Sequence, residues 1–172
     1  MSFSIYPDTR VTDDCGVIGI VDVEQYHTFI GKSGSHEEFM VHIHSAIEDG
    51  IGLVWGTGRE DVWRISIRRG SSNLEGYRSF ESMLHLHSGN LLVLDFDTML
   101  VESESGELSA TSLNIVETDL NPGSYICRVI QMYDHSDLDD DPNLRVADFV
   151  IELQAAATNE NTARNTKAIP WL

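Results

Sequence analysis

Val62-Trp63-Arg64-Ile65-Ser66-Ile67-Arg68-Arg69 alternates apolar and polar residues from Trp63 to Arg68. Successive side chains of a strand point to opposite faces, so Trp63, Ile65 and Ile67 belong to a core and Arg64, Ser66 and Arg68 to a polar face. On a helix the same residues would be scattered around the circumference. The period of two decides the fold class, and the flanking segments follow it.

Upstream, Leu53-Val54-Trp55 reads as the partner of this strand across a turn at residues 57–61, giving a hairpin over Gly52 to Ile67. Earlier still, Cys15 to Val23 (CGVIGIVDV) is apolar and β-branched, the pattern of a strand buried on both faces. Tyr26 to Ile30 continues it or begins a partner. One helix interrupts the strands. Ser35 and Glu38 form a capping-box pattern, Phe39, Met40, Ile43, Ala46 and Ile47 follow at helical spacing, and Gly50 supplies the stop. These signals predict an amphipathic helix over 35–49.

Downstream, Phe80 to His87 and Leu91 to Leu100 read as a hairpin. A three-residue turn, Ser88-Gly89-Asn90, aligns Leu84 and Leu86 with Leu92 and Leu94 and leaves His85, His87, Asp95 and Asp97 together outside. Glu102 to Ser112 reads as an acidic, serine-rich loop and Leu113 to Thr118 as a strand. Asn121-Pro122-Gly123 has the residues of a type II turn. Ser124 to Tyr133 is a further strand, Asp134 to Asn143 an acidic loop, and Ala147 to Gln154 the last strand. The expectation is a mostly β protein, a β-sandwich or open barrel of about 7–9 strands, with a single β domain over 1–154 and a flexible tail over 155–172. That tail ends in Ile169-Pro170-Trp171-Leu172, an apolar tetrapeptide that packs back or anchors a partner.

The chain has 172 residues and a formal net charge of −17. No apolar run approaches the ~20 residues of a membrane-spanning helix. The start of the chain lacks the basic and apolar regions of a signal peptide, and Cys15 and Cys127 match no zinc or redox spacing, so the expected location is the cytoplasm. So acidic a chain disfavours nucleic acid and anionic membrane, whose phosphates need Lys and Arg, and favours a basic protein partner. Charge is also uneven. Residues 95–160 hold fifteen Asp and Glu against Arg128 and Arg145, whereas residues 59–78 hold five arginines.

The order of these features resembles a loose group of small bacterial β-sandwich proteins. The resemblance is carried by the apolar strand into Asp22, the helix ending at Asp49-Gly50, the Gly52 to Ile67 hairpin, Asn121-Pro122-Gly123-Ser124-Tyr125 and the strand from Asp148 to Leu153. In layout, and in a Pro-Gly-x-Tyr turn before a strand, the chain is similar to the nuclease inhibitor of bacterial competence, protein J. The resemblance implies a binding or inhibitory role and carries over no functional residue. The acidic loops and the C-terminal tail depart from it.

Two His-x-His pairs stand out. His42 and His44 lie on the predicted helix, where residues two apart point ~200° away from each other. His85 and His87 lie on a predicted strand, on one face, and Asp95 and Asp97 on its neighbour would complete a site of two histidines and carboxylates. The competing reading is a solvated sheet surface. Asp137, Asp139, Asp140 and Asp141 lack the glycine and terminal glutamate of a calcium loop. No nucleophile elbow or dinucleotide fingerprint is present, so no cofactor is expected. The leading expectation is a non-catalytic inhibitor or immunity-type protein meeting a basic nuclease or toxin through Glu102, Glu104, Glu107, Asp137, Asp139, Asp140, Asp141 and Trp171. The alternatives are a metal-binding protein or metal-dependent enzyme built on His85, His87, Asp95 and Asp97, and an accessory subunit docking through its tail.

Overall fold

A computed structural model describes residues 4–106, 114–136, 147–157 and 168–172. Among these residues ten strands form two sheets. The six-stranded sheet contains β1 (Ser4–Ile5), β2 (Thr9–Asp13), β5 (Asp61–Arg69), β6 (Arg78–Leu86), β9 (Gly123–Gln131) and β10 (Phe149–Ala155). Its order is β1-β5-β10-β9-β6, with β2 also on β5. The four-stranded sheet runs β4-β3-β7-β8, from β3 (Val17–Asp22), β4 (Gly52–Gly56), β7 (Leu91–Asp95) and β8 (Ile115–Val116). All pairings are antiparallel except β5 with β10. Among the described residues no helix is long and apolar enough to cross a membrane.

The sheets pack face to face. Trp63, Ile65 and Ile67 of β5 are buried as their alternation predicts, against Phe149, Ile151 and Leu153 of β10 and Ile18, Ile20, Leu53, Trp55 and Val93 of the other sheet. The Ala147–Gln154 strand is realised as β10. Its outward Val150 and Glu152 are buried too, because the 70–77 segment crosses that face. Ser72 donates to Glu152, Arg128 donates to the carbonyls of Ser72 and Leu74, and Leu74 packs on Ile130 and Val150.

The expected mostly β sandwich is present, and helices beyond the one expected cover an outer face of it. Alternate residues of the smaller sheet, Val17, Val21, Val54, Leu92 and Leu94, face outward and are buried by three helices: α1 (Tyr26–Ile30), α2 (His36–Glu48) and α3 (Phe96–Ser105). Being apolar on both faces is why β3 reads as an unbroken apolar run. Gly19 permits the close approach, since a Cβ there would meet the Leu53 carbonyl at 2.9 Å and the Met99 methyl at 3.2 Å. The predicted helix forms with Ser35 as N-cap, its side chain accepting from the Glu38 N–H at 3.2 Å.

Five local expectations are overturned. Neither predicted hairpin forms: β4 and β5 lie in different sheets, and so do β6 and β7. Leu84 and Leu86 therefore face the core between the sheets while Leu92 and Leu94 face the helices. Tyr26 to Ile30 is helical. The strand expected through Leu100 stops at Asp95, whose carboxylate accepts from the Thr98 N–H at 2.9 Å and caps α3. Gly123, at φ 155°, already extends as the first residue of β9 and forms no type II turn.

Candidate functional site

The described arginines lie on the six-stranded sheet or in the turn that enters it. Arg10 is on β2, Arg64, Arg68 and Arg69 on β5, Arg78 on β6, Arg128 on β9, and Arg59 in the turn entering β5. The helical layer is the reverse. Residues 23–51 and 96–106 carry Glu24, Glu37, Glu38, Glu48, Asp49, Asp97, Glu102 and Glu104 against Lys32 alone. Arg59–Asp61, Arg69–Asp119 and Arg128–Glu152 pair three of the arginines with acids outside the helical layer.

Helical spacing sorts the acids into stripes. On α3 the exposed residues Asp97, Val101 and Glu104 fall at i, i+4 and i+7. On α2 Glu37, Val41 and Glu48 fall at i, i+4 and i+11, again on one face. Each stripe has a valine at its middle, 68% exposed at Val41 and 62% at Val101. The helices meet through Phe39 and Phe96, ring centroids 5.2 Å apart. Each stripe therefore sets an exposed apolar residue between carboxylates, on helices that cover the same face of the smaller sheet.

Helix electrostatics explains only half of these charges. Glu37, Glu38 and Asp97 stand in first turns, where the helix dipole favours negative charge. Glu48 and Asp49 end α2 and Glu104 ends α3, where it opposes them, and neither helix has a basic residue in its last turn. Each such acid costs its helix roughly 0.3–1 kcal/mol.

Other acids work inward. Asp13, 1% exposed, accepts the N–H groups of Cys15, Gly16 and Val17, the Thr57 hydroxyl and the Trp63 indole. Asp22, fully buried, accepts the N–H groups of Glu24, His87, Ser88 and Gly89. Glu102 was expected on the partner-binding surface. It is instead 3% exposed and accepts the Tyr26 phenol, because α3 turns it toward α1. Burial, and then the Glu102 contact, push the Tyr26 hydroxyl far above the ordinary phenol range. Glu104 does face solvent. Glu107, Asp137, Asp139, Asp140 and Asp141 lie outside the described residues.

The four residues of the expected metal site are not brought together. His85 and His87 border one cavity of about 580 Å³ with Glu24, Pro122 and Ser124. His85 Nδ1 lies 2.9 Å from the Ser124 hydroxyl and His87 Nε2 2.6 Å from the Gln25 amide. Asp95 is at the far end of β7, paired with Ile18 and capping α3. That is four residues beyond Leu91, or about 13 Å along the strand. Among the described residues no group of three His, Cys, Asp or Glu is placed to hold a metal ion.

Trp171 sits on the body of the protein. Its ring lies 4.3 Å from the Arg78 guanidinium carbon and 5.0 Å from the Phe80 ring, and Ile169 is buried in the helix-side core. Of the two readings of the final tetrapeptide, packing back describes the structure.

The fold has relatives. One solved structure, described as "Crocagin biosynthetic gene J", is similar with a TM-score of 0.61 and 14% identity, covering 91% of this chain and all of that one. A second is ComJ from Bacillus subtilis, described as an inhibitor of the DNA degrading activity of NucA. It matches with a TM-score of 0.54 and 12% identity, again over 91% of this chain and all of that one. No protein-family model and no curated protein matches the sequence. At these identities the likeness is one of fold, and it agrees with the competence-protein-J layout expected from the sequence.

Sequence reasoning missed the helical layer as the acidic surface. The signal was available: Asp95-x-x-Thr98 is a capping pattern, and Phe96, Met99 and Ser103 recur at helical spacing. An apolar run preceding them masked it.

Proposed function

We propose that this chain is a non-catalytic cytoplasmic binding protein that presents the α2–α3 face to a basic protein, as an inhibitor does to the enzyme it blocks. The observation that carries the reading is the set of acids at the C-terminal ends of α2 and α3, kept where the helices themselves disfavour them. Closely spaced carboxylates can stand in for phosphates in the groove of a nuclease. The fold shared with ComJ, itself described as inhibiting a DNA-degrading activity, supports a nuclease as the partner class. Two free cysteines suit a reducing compartment.

The test is affinity capture from host extract at low ionic strength, followed by elution with salt. A basic protein should be retained, salt should release it, and any DNA degradation it performs should fall when this chain is added back. Retention of no basic protein would end the proposal.

A further inference from the structure

The strand β4 forms one edge of the smaller sheet. This strand ends the order β4-β3-β7-β8, so its outer backbone groups face no other strand of its sheet. One of them, the Gly56 N–H, donates to the Pro170 carbonyl at 2.9 Å. The fit needs glycine, since a Cβ at residue 56 would come within 2.5 Å of the Trp171 carbonyl oxygen. Around this hydrogen bond the Trp171 indole is held between Arg78 and Phe80. Arg78 is in turn fixed by donating from Nε to the Gln131 side chain at 2.6 Å. Trp171 has a φ of 63°, a left-handed conformation that bulky residues rarely adopt.

The site continues past its occupant. A cavity of about 450 Å³ lined by Gly16, Gly56, Arg59 and Trp171 lies on one side of the Gly58–Arg59 turn. A second, of about 410 Å³, lies on the other, lined by Arg59, Tyr77, Arg78 and Gln131. Arg59 Nε is buried and has no acceptor among the described residues. Residues 169–172 thus take up only part of the polar and aromatic surface available there.

We propose that the β4 edge, with the Arg78–Phe80 clamp, is a docking site for a tryptophan-bearing turn of a partner protein, and that residues 169–172, themselves a turn, close it in cis. The chemistry is read from the segment already seated. A backbone carbonyl takes the Gly56 N–H, an indole enters between guanidinium and phenyl ring, and an apolar residue two positions before the indole reaches the core. The main-chain bond to the sheet edge fixes the position of the turn, and the pocket for the indole supplies specificity. Ile169–Leu172 is tethered to the same chain, so it competes at an effective concentration of order mM, and an incoming segment has to displace it.

The probe is a synthetic peptide of residues 166–172, followed by its tryptophan fluorescence. A chain shortened to end at residue 157, with its fold checked by circular dichroism, should bind the peptide saturably. The full chain should bind it about tenfold more weakly or worse, and Arg78→Ala in the shortened chain should abolish binding. A folded shortened chain that does not bind, or equal binding by both chains, would overturn the proposal. If the shortened chain does not fold, Trp171→Ala in the full chain should gain peptide binding, and no gain would be equally fatal. A dimer of the full chain that excess peptide fails to dissociate would also overturn it, placing the segment between copies instead.

Discussion

Asp22 and Ser88 are joined twice: the Ser88 N–H donates to one carboxylate oxygen of Asp22 at 2.9 Å and its hydroxyl to the other at 3.0 Å. With the N–H groups of His87 and Gly89 on the same carboxylate, this contact ties the end of β3 to the chain as it leaves one sheet for the other. Asp22→Asn replaces an acceptor oxygen with a donor facing N–H groups. The expected loss is about 2–4 kcal/mol of folding stability by denaturant titration, whereas a change below 1 kcal/mol would mean that water serves the turn as well.

The same turn shows what could be read in advance. The alternation in β5, the helix behind Ser35 and the apolar run of β3 are local patterns, and each came out as written. The choice of partner strand is not local. Short turns after β4 and β6 imply hairpins on their own, but an aspartate 65 or more residues away in sequence holds the second turn open to the other sheet. Asp13 does similar work for the first by binding Thr57 and Trp63 across 44 and 50 residues. The acid count was legible and the destination of each acid was not, because inward carboxylates such as Glu102 look the same in sequence as outward ones such as Glu104.

That contrast can be tested. Glu104→Lys should stabilise the fold by a few tenths of a kcal/mol up to about 1, by relieving the end of α3, while weakening the basic partner. Tyr26→Phe should do the opposite. It leaves the buried Glu102 without the phenol, costs about 1–3 kcal/mol and spares binding. Thermal melts and a binding isotherm on both variants separate the two roles.

Tyr6 donates to Asp119, which also meets Arg69 at 3.4 Å. The Tyr6 contact, and then Arg69, hold the Asp119 carboxyl below its ordinary value. Its contribution is present at pH above the ordinary carboxyl range and is lost as pH falls through the lowered value. Burial, then Asp119, push the Tyr6 phenol up to about 12, so its contribution holds below about 10 and is lost as pH rises toward 12. Tyr6→Phe should therefore flatten both the acid and the alkaline limbs of a melting-temperature profile. An unchanged profile would contradict the assignment.

Cys15 is exposed yet poorly reactive by this account. Burial of the thiol, and then the nearby Asp97 carboxylate, raise it to about 11. At pH 8 its thiolate fraction should lie about two orders of magnitude below that of an ordinary thiol near 8.5. Alkylation with iodoacetamide should be slowed accordingly. Cys127, buried and raised to about 12, should react only on unfolding. Rapid labelling of native Cys15 would refute the environment described.

The most direct test of the acidic face is charge reversal at both ends of α2 and at the C-terminal end of α3. Glu37→Lys, Asp49→Lys and Glu104→Lys, combined in one chain, should leave the melting temperature within a few degrees of the parent and abolish retention of the basic partner at low ionic strength. Undiminished retention by the folded triple variant would contradict the account, because the binding would then reside elsewhere on the molecule.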